Sequence, residues 1–240
     1  MRIALFGQGG MGRVVAERAR AAGQEIGTVL TSGDAGRSAT ELTAVLRGHD
    51  VAIDFSQGDA VLAHVVACTR AGVPLVEGTT GWAAQEAAVF RAVEDGGGTL
   101  VYGPNFSIGV QLFYRLVARA GELFRGLGDY DPFIEEAHHA QKRDAPSGTA
   151  LRLRDLLAES FKKPVPVTST RAGHIPGTHR VGFDSAVDQV VLEHTARSRD
   201  GFAGGALLAA RWIIGQGQRG MLRFEDVLDE VLGAARSEGP

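Results

Sequence analysis

Three features of the sequence predict an α/β fold in two parts. The first is a glycine-rich run, Gly7-Gln8-Gly9-Gly10-Met11-Gly12, set directly after the apolar residues Ile3-Ala4-Leu5-Phe6. The second is an alternation of strand-like and helix-like segments over residues 26–102. The third is a change of rhythm after residue 105, where strand-like runs at 165–170, 180–183 and 187–196 follow one another without helices between them. Alternation with short connections builds a parallel sheet covered by helices, whereas grouped strands build an antiparallel or mixed sheet. The expected organisation is a Rossmann-like dinucleotide-binding domain made of residues 1–105 and 211–240. A smaller α+β domain with a mixed sheet is expected from residues 106–210.

In order along the chain, residues 3–6 form the first strand. The glycines read as G-x-G-x-x-G in the context that gives this pattern weight, after a strand and opening a helix marked by Val14, Val15 and Ala19. Gly7 permits the tight turn, Gly9 lets backbone approach a pyrophosphate, and Gly12 lets helix and strand pack closely. The helix N-terminus adds N–H donors and positive potential. Strands are expected at 26–30, 51–55, 74–77 and 100–102, and helices at 40–46, 61–71 and 83–95. The turns Phe55-Ser56-Gln57, Gly78-Thr79-Thr80-Gly81 and Pro104-Asn105-Phe106-Ser107 then fall at carboxyl ends of strands, where such sheets bind ligands. Thr31 and Ser32 stand where an NAD-selective site usually carries Asp or Glu, with Asp34 in a later turn and Arg37 nearby. NADPH is therefore expected to serve at least as well as NADH. Helices at 110–127 and 151–161 belong to the second domain, and those at 206–214 and 227–235 return toward the first.

Composition narrows the classes. Apolar residues make up 44% of the 240 and charged residues 22%, the balance of a globular protein. A net charge of −3 speaks against a dedicated nucleic-acid binder. The single cysteine, Cys68, excludes an internal disulfide. No apolar run approaches the length of a membrane span and no leader pattern opens the chain, so a cytoplasmic location without a membrane partner is expected.

The densest chemistry lies between Ile134 and Ala150. Phe133-Ile134 reads as the end of a strand, and Leu151, Leu153, Leu156 and Leu157 have helical spacing. Pro146 and Ser147 suit a turn and a helix cap, which leaves Gly148 and Thr149 with free N–H groups for a carboxylate or phosphate. Lys142 and Arg143 add positive charge, and His138 and His139 exchange protons near neutral pH. The run reads as a pocket for a small anion with an acid–base group in reach; the alternative is a solvated loop. No metal is expected, because strand alternation sends neighbours among Glu135, Glu136, His138 and His139 to opposite faces and no further Cys/His cluster completes a sphere.

The run Glu136-Ala137-His138-His139, then Lys142, then Asp144-Ala145-Pro146-Ser147-Gly148-Thr149-Ala150, resembles the signature of dihydrodipicolinate reductases. These enzymes of lysine and diaminopimelate biosynthesis are also described as 4-hydroxy-tetrahydrodipicolinate reductases. The glycine loop, Asp54-Phe55-Ser56, Gly78-Thr79-Thr80-Gly81, Asn105-Phe106-Ser107-Ile108-Gly109-Val110 and Arg197-Ser198-Arg199…Phe202-Ala203 follow in the family's order. The resemblance implies transfer of hydride from NADH or NADPH to C4 of a cyclic, unsaturated dicarboxylate. It implies that His138 is the acid–base residue, and that Lys142 donates a proton and binds substrate. His139, Gly148 and Thr149 would hold the carboxylates. Gly7, Gln8, Gly9, Gly10, Met11, Gly12, Gly78, Thr79, Thr80, Pro104, Asn105, Phe106 and Ser107 would bind the dinucleotide beside Thr31 and Ser32. The second domain would serve both substrate binding and oligomerisation, giving a homotetramer through its sheet. Two other readings stand beside this one: another two-domain nicotinamide-dependent reductase of a small acid, and a non-catalytic dinucleotide sensor. A sensor has no need of His138, His139 and Lys142.

Overall fold

A computed structural model describes residues 1–34, 36–217 and 219–237, with side chains up to residue 233. The chain divides into two units, Met1–Ile108 with Arg199–Pro240, and Gly109–Ser198.

The first unit is a six-stranded sheet with every pairing parallel. Its strands are β1 (Arg2–Phe6), β2 (Glu25–Leu30), β3 (Val51–Asp54), β4 (Leu75–Glu77), β5 (Thr99–Tyr102) and β10 (Gly220–Arg223), in the spatial order β10-β5-β4-β3-β1-β2. Helices α1 (Gly10–Ala21), α2 (Ala39–Leu46), α3 (Val61–Ala71), α4 (Glu86–Gly96), α7 (Asp200–Gln216) and α8 (Phe224–Ser237) complete it. One face buries Ile3, Leu5, Val51 and Ile53 with residues of α1 and α7; the other buries Ala4, Phe6, Ala52, Leu75 and Leu100 with residues of α2, α3 and α4. Burial on both faces is why these strands read as continuous apolar runs and not as alternating ones.

The chain returns to this unit at Arg199, earlier than the 210–211 boundary read from the sequence. The reason is α7, which sets Ala203, Ala206, Leu207, Ala209, Ala210 and Ile213 into the same core as Val15, Ala16 and Ala19 of α1. Small residues let the two helices approach, and their low hydrophobicity hides the packing face in a sequence scan. Strand β10 was not expected. It is four residues long, half-buried, and lies at the sheet's edge against β5.

The second unit contains α5 (Ile108–Phe124), β6 (Asp131–His138), α6 (Gly148–Phe161), β7 (Val167–Arg171), β8 (Thr178–Asp184) and β9 (Gln189–Thr195). Its four-stranded sheet has the order β7-β6-β8-β9 and is mixed: β6 runs parallel to β7, while β6–β8 and β8–β9 are antiparallel. Phe113, Val117, Ile134, Leu153, Leu157, Val181 and Phe183 form its core. Strand β6 does not end at Ile134 as expected but continues through Glu135, Glu136, Ala137 and His138. Its central place explains this, since β7 and β8 pair with these residues on either side despite their charge. No helix among the described residues is long and apolar enough to cross a membrane.

Candidate active site

Side chains alternate along a strand, so Glu136 and His138 share one face of β6. The register sets Glu136 opposite His179 on β8, and His138 beside Arg171 on β7. The Glu136 side chain is fully buried. Arg171 donates to both of its oxygens, Nη1 to Oε2 at 2.9 Å and Nη2 to Oε1 at 2.7 Å, and also to the carbonyl of Asp144 at 2.6 Å. Bidentate, charge-assisted pairs of this kind are the strong form of the interaction. Burial alone would raise the Glu136 pKa, but hydrogen bonds from Arg171, Ser169 and His138 bring it down to about 2. The carboxylate also accepts a hydrogen bond from Nδ1 of His138. An ionised carboxylate can only accept, so Nδ1 carries the hydrogen and Nε2 is left as the reactive nitrogen. Burial lowers the His138 pKa against the opposing pull of Glu136, with the charges of Lys142 and Arg171 adding to the lowering.

Ser147 caps α6, its Oγ accepting from Ala150 N at 3.2 Å and its carbonyl from Leu151 N at 2.9 Å. Its hydroxyl also lies 3.0 Å from Nε2 of His179. Burial first, then the neighbouring His138, depresses the His179 pKa to about 4, so this histidine stands neutral beside the hydroxyl. The N–H of Ser147 reaches Glu136 Oε1 at 3.3 Å, tying the helix start to the carboxylate. Gly148 and Thr149 present their N–H groups at the open first turn of α6, where the helix dipole favours an anion. Lys142 Nζ lies 2.8 Å from Asp144 Oδ1.

The structure therefore brings His138, Lys142, Gly148 and Thr149 around one feature, the junction of β6 with α6. His139 lies just beyond the strand, half-buried, and stays outside the hydrogen-bonded network; its carbonyl accepts from Lys142 N at 3.1 Å. Arg171 and His179 were missed, because only the pairing of β6 with β7 and β8 brings them here. Glu136, His138 and His179 offer ligand atoms within 4.8 Å of one another. Yet Arg171 already holds both Glu136 oxygens, so a cation stands where a metal's charge would act.

In the first unit, the turns after β1, β3, β4 and β5 all lie at carboxyl ends of adjacent strands. Helix α1 starts at Gly9 without a side-chain cap, so its first N–H groups are open to a ligand. Gly12 is required by the fold itself, because a Cβ there would lie 2.0 Å from the carbonyl oxygen of Gly7. Gly9 is different: a Cβ there would meet nothing within 4 Å, so the surrounding protein does not demand a glycine. Over Gly10 stands Arg199, whose Nη1 lies 2.3 Å from where a Cβ would be. The motif thus gains a cation at the helix start that spacing alone did not reveal. The carbonyl of Gln8 accepts from Arg13 Nε at 3.1 Å, and Met11 packs against the core. Gly78-Thr79-Thr80 follows β4, and Thr79 is bonded to both Asp54 and Glu77. Asn105 accepts from Ser107 N at 2.9 Å, next to the exposed Pro104. Phe106 gives its ring to the core against Phe224, leaving only its backbone to face a ligand.

The end of β2 departs from the sequence reading. Asp34, assigned there to a later turn, folds back: its Oδ2 accepts from Thr31 N at 2.8 Å and from the Thr31 hydroxyl at 3.3 Å. Arg37, which the sequence places nearby, pairs with Asp34 Oδ1 at 2.8 Å. A carboxylate does therefore stand at the end of the second strand, delivered by a single turn of 3₁₀ helix from Ser32 to Asp34.

Family models described as dihydrodipicolinate reductase, N-terminus, and dihydrodipicolinate reductase, C-terminus, match residues 1–106 and 109–228. A 4-hydroxy-tetrahydrodipicolinate reductase of Christiangramia forsetii is 33% identical over 243 residues, covering 96% of this chain and 99% of the relative. The enzyme of the same name from Methanosarcina barkeri is 38% identical over 195 residues, covering 75% and 73%. Among solved structures, a dipicolinate-bound dihydrodipicolinate reductase from Paenisporosarcina sp. TG-14 superposes with a TM-score of 0.76 at 23% identity, covering 93% of this chain and 97% of that one. That likeness supports the fold.

Proposed function

The chain belongs to the dihydrodipicolinate reductase family, and from that premise we propose how its two units carry out the reduction of 4-hydroxy-tetrahydrodipicolinate with NADPH or NADH. The reaction is a step of lysine and diaminopimelate biosynthesis, and a cytoplasmic location accords with it. The observation that carries the reading is the Arg171–Glu136–His138 chain beside the open start of α6. It joins an oriented proton-transfer group to an anion cradle, which a dinucleotide sensor would not need.

The nicotinamide supplies hydride. The protein's part begins with the substrate's two carboxylates, which need cations and backbone donors. The N–H groups of Gly148 and Thr149 and the ammonium of Lys142 provide both, with His139 at the rim. Loss of the 4-hydroxyl as water gives the conjugated imine, and addition of hydride to that imine at C4 leaves an enamine anion that one proton must quench. His138 delivers that proton from Nε2, because Glu136 holds Nδ1 and fixes the ring. Lys142 is the second donor, and its charge also balances the carboxylates. In the first unit the residues fit a dinucleotide: the uncapped α1 N-terminus, the open space at Gly9 and the Arg199 guanidinium receive the pyrophosphate, while Thr31, Ser32 and Asp34 meet the adenosine ribose. The turns Gly78-Thr79-Thr80 and Pro104–Ser107 hold the nicotinamide half.

The assembly is a homotetramer formed through the second unit's sheet. Val190 and Val191 on the edge strand β9, and Val187 just before it, are exposed, which supports an apolar contact there. Light scattering measures the assembly directly, and a monomer at micromolar concentration would remove it. A coupled assay tests the activity: the synthase product is supplied and loss of reduced-cofactor absorbance is followed. Turnover is expected with that product, and its absence with either cofactor would overturn the function.

A further inference from the structure

Beneath the cofactor turns of the first unit lies a cluster that the reaction does not use. The β3–β4 register sets Asp54 directly beside Glu77, and both residues are fully buried. Asp54 is well supplied: Oδ1 accepts from Ser56 N at 2.8 Å and from the Thr79 hydroxyl at 3.1 Å, and Oδ2 lies 2.6 Å from Nδ1 of His64. Glu77 is not. Its Oε1 accepts from Thr79 N at 2.7 Å, but its Oε2 is buried without a hydrogen-bond partner.

We propose that Glu77 is a neutral carboxylic acid paired with the Asp54 carboxylate, and that this pair is the positioning device for the Ser56 and Thr79 turns of the cofactor site. This rests on reading the first unit as the cofactor's carrier. Two adjacent carboxyl groups out of water cannot both ionise without large cost. The groups facing Glu77 leave it as the one that keeps a proton. Asp54 comes from β3; α3 contributes His64, which is engaged by Asp54, and Cys68; β5 sets Tyr102 in register, its hydroxyl bonded to Arg223. No Lys or Arg among the described residues pairs with Glu77. Burial, then the charge of Asp54, pushes the Glu77 pKa well above the ordinary carboxylate range, and burial raises the Cys68 thiol likewise. A proton on Oε2 turns an acceptor without a partner into a donor for the neighbouring Asp54 carboxylate. The pair then holds Thr79 by both its backbone N–H and its hydroxyl, and Ser56 by its N–H.

The sign of the pH effect follows. A carboxyl group whose pKa is raised on folding stabilises the fold at low pH, and that contribution is lost as pH rises through the raised value. The experiment compares wild type with Glu77→Gln and Glu77→Ala. The thermal midpoint of the ligand-free protein and the dissociation constant for NADPH are both followed from about pH 6 to about pH 9.5. The wild-type midpoint should fall more steeply toward alkaline pH than that of Glu77→Gln, which keeps a neutral donor in place. An infrared band for a protonated carboxyl group should be present in wild type and missing in Glu77→Gln. NADPH binding to wild type should weaken by about tenfold over that range while Glu77→Gln stays level. Glu77→Ala should bind about tenfold more weakly throughout. Equal alkaline slopes for wild type and Glu77→Gln would overturn the neutral acid. Equal NADPH affinity of wild type and Glu77→Ala would overturn the positioning role; should Glu77→Ala not fold, a pH-independent wild-type affinity does the same. Wild type that fails to bind NADPH or NADH at any pH would overturn the cofactor reading instead, and the ligand-free comparison would still decide the state of Glu77.

Discussion

Arg171 grips both oxygens of Glu136, at 2.9 and 2.7 Å, and so makes a buried carboxylate the anchor of the His138 ring. The negative charge of Glu136 favours protonated His138, although burial outweighs it. Glu136→Gln removes the favourable part, so the His138 pKa falls further. The alkaline limb of kcat/KM, which needs the protonated ring, should move to lower pH by about one unit. A pH–rate profile with an unmoved limb would show that Glu136 does not act through His138.

Removing the cation has a different signature. Arg171→Ala leaves a buried carboxylate without its partner, which should cost about 3–5 kcal/mol in urea unfolding near neutral pH. In wild type the lowered Glu136 pKa contributes stability above the ordinary carboxylate range, and this is lost as pH falls toward about 2. Without Arg171 the pKa rises, so acid unfolding should start at higher pH. An unchanged acid transition would argue against a tight ion pair.

For the chemistry itself, His138→Gln should lower kcat by about two to four orders of magnitude with the fold retained. Lys142→Ala should raise KM and lower kcat together, since charge pairing and proton donation are lost in one step. Near wild-type turnover in His138→Gln would remove it from the mechanism.

Gly9 and Gly12 separate binding from folding. At Gly12 a methyl group would strike the Gly7 carbonyl, whereas at Gly9 it meets only open space. Gly9→Ala should therefore cost no more than about 1 kcal/mol of stability, the size of a lost helix-cap preference. Its NADPH affinity should nonetheless drop by about tenfold or more, about 1.4 kcal/mol. Calorimetric titration of Gly9→Ala that matched wild type would place the pyrophosphate elsewhere.

Asp34 is expected to set cofactor preference. Its carboxylate stands at the end of β2 and repels a 2′-phosphate, while Arg37, paired to it, attracts one. Asp34→Ala should raise the NADPH-to-NADH ratio of kcat/KM by about tenfold, and Arg37→Ala should lower it. Ratios unmoved in both variants would mean that Thr31 and Ser32 read the ribose unaided.

The glycine loop, the parallel sheet and the His138–Lys142 run were legible because their signals lie in adjacent residues. The apolar runs of the parallel strands and the glycine spacing are local properties, and so is the cap at Ser147. The extent of β6 was not legible: Glu135 and Glu136 look like loop until strands on both sides claim their backbone. Arg171 and His179 reach the site through strand register, and nothing beside them in the chain announces it. Arg199 stands in a run that the sequence singles out, but its place over Gly10 comes only with the packing of α7 on α1. Asp34 was misread for a subtler reason. The position of a residue along the chain suggested a later turn, but one tight turn was enough to carry its carboxylate back to Thr31.

The first unit opens at Met1 yet is finished only by α7 and β10. During translation, the glycine loop leaves the ribosome long before the helix that covers its side of the sheet. The free edge of β5 likewise waits for β10. The second unit, continuous from Gly109 to Ser198, has all its strands in hand first. The nascent chain thus completes its domains in the reverse of the order in which they begin, and holds an unsealed, aggregation-prone sheet in the interval. A stop codon near residue 199 would spare the histidine site's own unit and leave the nucleotide fold unfinished.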